Sequence, residues 1–69
     1  MRDNLDLAAS AQAMADDAPA GSVSRAAASS LAITLATTRD TEHARATLDG
    51  IAPDEVREAA LRLFDQLTA

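Results

Sequence analysis

Few side chains in this chain could carry chemistry, and the strongest candidates are an aspartate and a histidine. His43 is the single histidine, and Asp40 precedes it by three residues. An aspartate that orients a histidine can make it a general base for a serine or threonine nucleophile. The sequence contains no glycine-rich nucleophile turn and no second histidine to support such a reaction. We therefore interpret the pair as a solvated histidine beside a helix-capping aspartate, and we expect no catalytic residue and no enzymatic activity.

Metal and cofactor patterns are also missing from the sequence. The absence of cysteine excludes disulfides and thiolate zinc sites. The acidic pairs Asp16-Asp17 and Asp54-Glu55 lack the spacing and the glycine of an EF-hand calcium loop. Gly21 and Gly50 are far apart, whereas phosphate-binding loops need clustered glycines. We expect no metal site, no cofactor and no small-molecule substrate.

Length and charge indicate one small acidic domain that spans residues 1–69. The formal net charge is −5, and all six cationic residues are arginine. Binding to nucleic acid or to anionic membranes needs clustered cations, so neither is favoured. An alanine-rich chain without lysine is typical of a high-GC bacterial genome. The sequence has no apolar run of membrane-spanning length, and MRDNLDLAAS lacks the basic start and apolar core of a signal peptide, which predicts a cytoplasmic protein.

The elements that position these side chains are predicted to be helices. Breaks are expected at residues 19–21, 37–41 and 50–53, and alanine, the best helix former, dominates between them. The pattern predicts an all-α fold, a small helical bundle of three to four helices that dimerisation would complete. Helix 1 is expected over residues 4–18, with Leu7, Ala11, Met14 and Ala18 on its apolar side.

The remaining boundaries follow from capping residues. Helix 2 is predicted to start at Ser22 or Ser24 and to reach residue 37, and helix 3 to cover residues 41–49 behind Asp40. Gly50 is expected to adopt the left-handed conformation that ends many helices. Pro53 is expected at the first position of helix 4. Residues 37–40 leave open whether helices 2 and 3 are continuous.

Helix 2 carries no charge between its flanking arginines, Arg25 and Arg39. A helix that is apolar nearly all round is normally buried, yet its neighbours are short and alanine-rich. Small domains without disulfides often complete their core by association. We therefore expect a partner-binding surface on helix 2 and the outer side of helix 4. Its predicted residues are Ala28, Leu31, Ala32, Leu35, Leu61 and Phe64.

These features favour a protein–protein interaction module, a regulator or inhibitor that binds another protein or forms a homodimer. A structural subunit of a larger assembly fits the same features and remains an alternative. A third hypothesis, a DNA-binding regulator, comes from residues 44–62. In this range the segment ATLDGIAPDEVREAAL resembles a DNA-binding helix-turn-helix. The resemblance rests on five positions with the usual spacing: Ala46, Gly50, Ile51, Val56 and Ala59.

The same segment departs from the helix-turn-helix pattern in two respects. Arg45 and Asp49 occupy positions where the first helix of that motif normally turns apolar groups inward. The expected recognition helix opens with Asp54-Glu55 and adds Glu58, and these acids would repel DNA phosphates. Nucleic acid is therefore the less favoured partner.

Overall fold

Four α-helices joined by short turns make up the computed structural model, which describes residues 3–69. They are α1 (Asn4–Asp17), α2 (Val23–Thr37), α3 (Thr41–Leu48) and α4 (Asp54–Thr68). No β-strand occurs in this range, so the prediction of an all-α bundle is confirmed. Met1 and Arg2, which belong to the segment where we expect no signal peptide, lie outside the described residues.

Side-chain caps explain where the first three helices begin. Asp3 accepts a hydrogen bond from the backbone N–H of Asp6 (2.9 Å), which satisfies one of the free donors of α1. Ser22 does the same for α2 by accepting from the N–H of Arg25 (3.1 Å), and Asp40 caps α3. Pro53 lies one residue before the first helical residue of α4, at the cap position, and makes no side-chain cap bond.

The turns after α2 and α3 differ from each other in how they end their helices. Thr38 and Asp40 both have extended backbone conformations, so α2 and α3 are separate helices. The prediction of a left-handed Gly50 is wrong, because Gly21 (φ 80) is the one described residue with positive φ. The chain instead leaves α3 by tight turns, in which the N–H groups of Gly50 and Ile51 donate to carbonyls three residues back. Such bonds satisfy terminal carbonyls without a left-handed residue.

The core lies around α2, which contacts all three other helices and packs most extensively on α1 and then on α4. Six of the eleven residues in the buried cluster are alanines, which lets the helices approach closely. The Cα radius of gyration is 10.6 Å, close to the about 11 Å expected for a compact chain of this length. The cluster comprises Leu7, Ala8, Ala11, Ala27, Leu31, Ala32, Leu35, Ala44, Leu48, Ala60 and Phe64.

The buried side of α1 is rotated from the one that the spacing predicts. Leu7 and Ala11 are buried as expected, whereas Met14 and Ala18 are only half-buried. The structure buries Ala8 and Ala15 as well. The rotation arises because α1 packs chiefly on α2 and scarcely on α4, so the line of residues that faces α2 is the one withdrawn from solvent.

Candidate interaction surface

The Asp40–His43 pair is an exposed capping arrangement. Asp40 Oδ1 accepts from the backbone N–H of His43 (2.8 Å) and lies 2.7 Å from His43 Nδ1. The backbone hydrogen bond is the main cause that lowers the pKa of Asp40, and the bond with the histidine side chain adds to it. The hydroxyl of Thr47 donates to the carbonyl of His43 and is used within α3. The role of this pair in the fold is to stabilise the first turn of α3.

Acidic side chains do not converge into a metal-binding cluster within residues 3–69. Asp16 and Asp54 instead each contact a neighbour on their own helix. Gln12 donates to Asp16 (3.1 Å), and Arg57 Nη1 lies 3.1 Å from Asp54. These are solvent-exposed contacts at helical spacing, and each contributes only a few tenths of a kcal/mol, about 0.2–0.5.

Two shallow grooves mark the surface of the described chain. One, of about 350 Å³, lies between the start of α1 and the end of α2, where Leu5, Leu35 and Ala36 contribute apolar atoms. Asn4 lines this groove and donates to the carbonyl (3.0 Å) and hydroxyl (3.3 Å) oxygens of Thr38. The other, of about 240 Å³, lies between α3 and α4 and includes Phe64, which is 6% exposed. Neither groove encloses a water-excluded site.

The expected partner surface is largely inside this chain. Four of its residues on α2 are at most 5% exposed, and Phe64 is also buried. The physical reason is that α1 and α4 both pack on α2, and their alanines allow an approach close enough to cover it. Leu61 is half-buried and packs against the core. The buried residues are therefore not accessible in the folded chain; they are Ala28, Leu31, Ala32, Leu35 and Phe64.

The opposite side of α2 is the side that remains exposed. Ile33 is 65% exposed and Val23 is 41% exposed, and Ala26 and Ala36 are exposed as well. The sequence spacing places Ile33 and these alanines opposite the two buried leucines. What the sequence did not indicate is that the inner side would be fully covered by so few neighbours. We define the outer face of α2 as Val23, Ala26, Ser29, Ser30, Ile33, Ala36 and Thr37.

The outer face is uncharged over its whole length, whereas the residues at its two ends and on the neighbouring helix α1 include charged side chains. The hydroxyl of Thr37 donates to the carbonyl of Ile33 (2.8 Å), so its hydrogen-bonding capacity is used within the helix. Arg25 lies at one end, where its Nη1 approaches the carbonyl of Ala18 (3.4 Å), and Arg39 is exposed beyond the other end. The neighbouring helix α1 carries three acids and no base. A neutral face on an acidic domain is where another protein can pack without burying an unpaired charge.

The helix-turn-helix pattern in residues 44–62 fits the packing of α4 but not that of α3. Ile51, Val56 and Ala59 pack against the core as the pattern expects. The buried residues of α3 are Ala44 and Leu48, whereas Ala46, the small residue of the pattern, is exposed. Gly50 is not left-handed. Two arginines of this segment lie beside acids: Arg57 beside Asp54, as above, and Arg45, whose Nη1 is 3.7 Å from Asp65. The residues of α3 that the motif would turn inward are therefore not the residues that the fold buries.

Comparisons with known proteins give no relative for this chain. No protein-family model matches it, and no match emerges among curated proteins or among solved structures. Among the described residues, no helix has the length and apolar character needed to cross a lipid bilayer. The surface that the four helices leave exposed is therefore the remaining guide to the function of this protein.

Proposed function

We propose that this protein is a protein–protein interaction module, a small acidic regulator or inhibitor that binds its partner through the outer face of α2. The observation that carries the proposal is the contrast between the two sides of this helix: Leu31 is 0% exposed and Ile33 is 65% exposed. The inner side is held by packing on α1 and α4, so the outer side is preorganised. Preorganisation reduces the entropy lost on binding and so favours association.

The chemistry of the face favours a helical partner with small or apolar side chains. Ala26, Ser29 and Ser30 let a second backbone approach closely, and Ile33 supplies an apolar side chain to insert into it. The acids on α1 would repel phosphates. We also propose a bacterial cytoplasmic setting, which rests on composition alone.

Site-specific photo-crosslinking in the producing cells tests this function. A benzophenone amino acid is placed at position 33 and, as a matched control, at position 13. Ala13 is exposed, and like Ile33 it lies four residues before the last residue of its helix. We expect discrete adducts from position 33 and few from position 13. Equal adducts from both positions, or none from position 33, would contradict the proposal.

A further inference from the structure

We propose that the outer face of α2 docks on the same face of a second copy of this chain, with the two helices antiparallel and a two-fold axis close to Ser30. The inference rests on the proposed function and specifies its partner. A two-fold interface uses the same patch on both subunits, so the patch must be complementary to itself. The outer face meets that requirement in its spacing, in its side-chain sizes and in its charge.

The spacing of the face is that of a helix-pairing seam. Val23, Ala26, Ser30, Ile33 and Thr37 are separated alternately by three and four residues, the interval at which side chains line one side of a helix that packs along another. The helix runs from Val23 to Thr37 and has Ser30 at its centre. A two-fold axis at Ser30 therefore overlaps the two faces over their full length, and any other register leaves part of each face uncovered.

Side-chain sizes select the antiparallel orientation. With the axis near Ser30, Ala26 of each copy and Ile33 of the other are offset by one residue, about 1.5 Å along the helix axis, so a small side chain meets a large one in both layers. Val23 then lies beside Thr37, which is almost the same size, and the two serines meet at the centre. A parallel pair would place two isoleucines in one layer and two alanines in another, which leaves either a clash or a void.

Charge directs two copies to this face and limits how tightly they bind. Each copy has a net charge of −5, so two copies repel wherever their acidic surfaces meet. The outer face is uncharged and is the region where contact costs least. Salt screens the repulsion between the surrounding acids without weakening the neutral contact. Self-association should therefore strengthen as salt is added, which is opposite to the behaviour of a complex held by complementary charges.

The size of the face predicts a weak, reversible dimer. A standard stable interface buries about 800 Å² on each partner, which would be about a fifth of the 4213 Å² surface of this chain. One side of a 15-residue helix, about 22 Å long, supplies less than that. We therefore expect a dissociation constant between about 10 μM and 1 mM, in the range of transient interfaces.

Cysteine cross-linking tests the orientation, because the described chain contains no cysteine that could compete. We expect a mixture of the Ala26→Cys and Ile33→Cys proteins to form a disulfide-linked dimer at least about tenfold faster than either protein alone. In the antiparallel pair, two copies of either cysteine are separated by about 9 Å or more along the helix axis, beyond the reach of a disulfide. Faster cross-linking of either single variant with itself would overturn the antiparallel arrangement.

Sedimentation equilibrium tests the self-association. The average mass of the wild-type chain should rise from 7.1 kDa towards twice that value as concentration increases from about 10 μM to about 1 mM. Ile33→Glu should weaken association at least about tenfold, whereas Ala13→Glu, the matched control, should leave it within about twofold. Circular dichroism checks that both variants remain helical.

The two proposals fail in different ways. A wild-type chain that stays monomeric at about 1 mM but yields position-33 adducts with other proteins overturns the self-docking inference and supports the interaction module. A monomeric chain that yields no adducts overturns both. Equal weakening by Ile33→Glu and Ala13→Glu also overturns the inference, because a general increase in negative charge would then account for the effect.

Discussion

Replacing the two neighbouring apolar residues of α2 by alanine should give sharply different losses of stability. Leu31 is completely buried, whereas Ile33, two residues later, is 65% exposed. Leu31→Ala leaves a cavity between α2 and the helices packed on it, and buried leucines replaced by alanine typically cost about 2.7–5 kcal/mol. A domain of this length is stable by only about 3–10 kcal/mol in total. The variant should therefore lose between about a quarter and all of the stability of the fold.

Ile33→Ala should have almost no effect on the isolated chain. Full burial of an isoleucine is worth about 1.5–3 kcal/mol, and roughly a third of Ile33 is covered, so the loss is at most about 1 kcal/mol. Alanine is also the better helix former, which returns a few tenths of a kcal/mol, about 0.4. The net change should lie between about 0.1 and 0.6 kcal/mol.

Urea unfolding followed by far-ultraviolet circular dichroism measures both variants at about 5 μM protein, where a weak dimer is dissociated. Leu31→Met, which conserves volume, should cost less than about 1.5 kcal/mol and keeps a folded variant in the series. Comparable losses from Leu31→Ala and Ile33→Ala, or a larger loss from Ile33→Ala, would refute the orientation of α2 on which both proposals depend.

Three further predictions concern the turns and caps. Gly21→Ala should destabilise the fold by about 1–2 kcal/mol through backbone strain alone, since a Cβ there meets nothing within 4 Å but φ is +80°. Gly50→Ala should be neutral or stabilise the fold by up to about 1 kcal/mol. Thermal melts that reverse this order would contradict the turn geometry. Ser22→Ala should cost about 0.5–2 kcal/mol by removing the cap of α2, while Ser24→Ala should change the urea midpoint little; the opposite result would place the start of α2 at the other serine. The hydrogen bonds that Asp40 accepts lower its pKa, so the ionised carboxylate stabilises the fold at pH values above its ordinary pKa, and this contribution disappears as pH falls through the lowered pKa. Asp40→Asn should therefore flatten the rise of unfolding free energy with pH between about pH 2 and 5. An unchanged slope would count against the interaction.

Local signals in the sequence were sufficient to predict the helices. Asp40 is predicted as a cap because a short acceptor before a helical pattern satisfies free N–H donors locally, and it accepts from the N–H of His43. Leu31 and Leu35 were correctly assigned to the same side of α2, because helical periodicity depends only on the spacing. The same helical spacing places Ala44 and Leu48 on one side of α3, and both are buried.

The conformation of Gly50 could not be predicted from its position after a helix. A glycine there permits a left-handed residue but does not require one, and the tight turns that end α3 satisfy the same carbonyls. The position of the candidate surface could not be predicted from the sequence either. Periodicity divides α2 into two apolar sides and gives no measure of how closely α1 and α4 approach either of them.

The sequence alone determined that this protein is a set of capped, alanine-rich helices with an uncharged second helix, because propensity, capping and spacing act within a few residues along the chain. Only the tertiary structure decided which side of that helix is hidden. The choice depends on contacts between residues far apart in the chain, as the packing of α1 and α4 on α2 shows. Those contacts bury Leu31 and Leu35 and leave Ile33 at the surface.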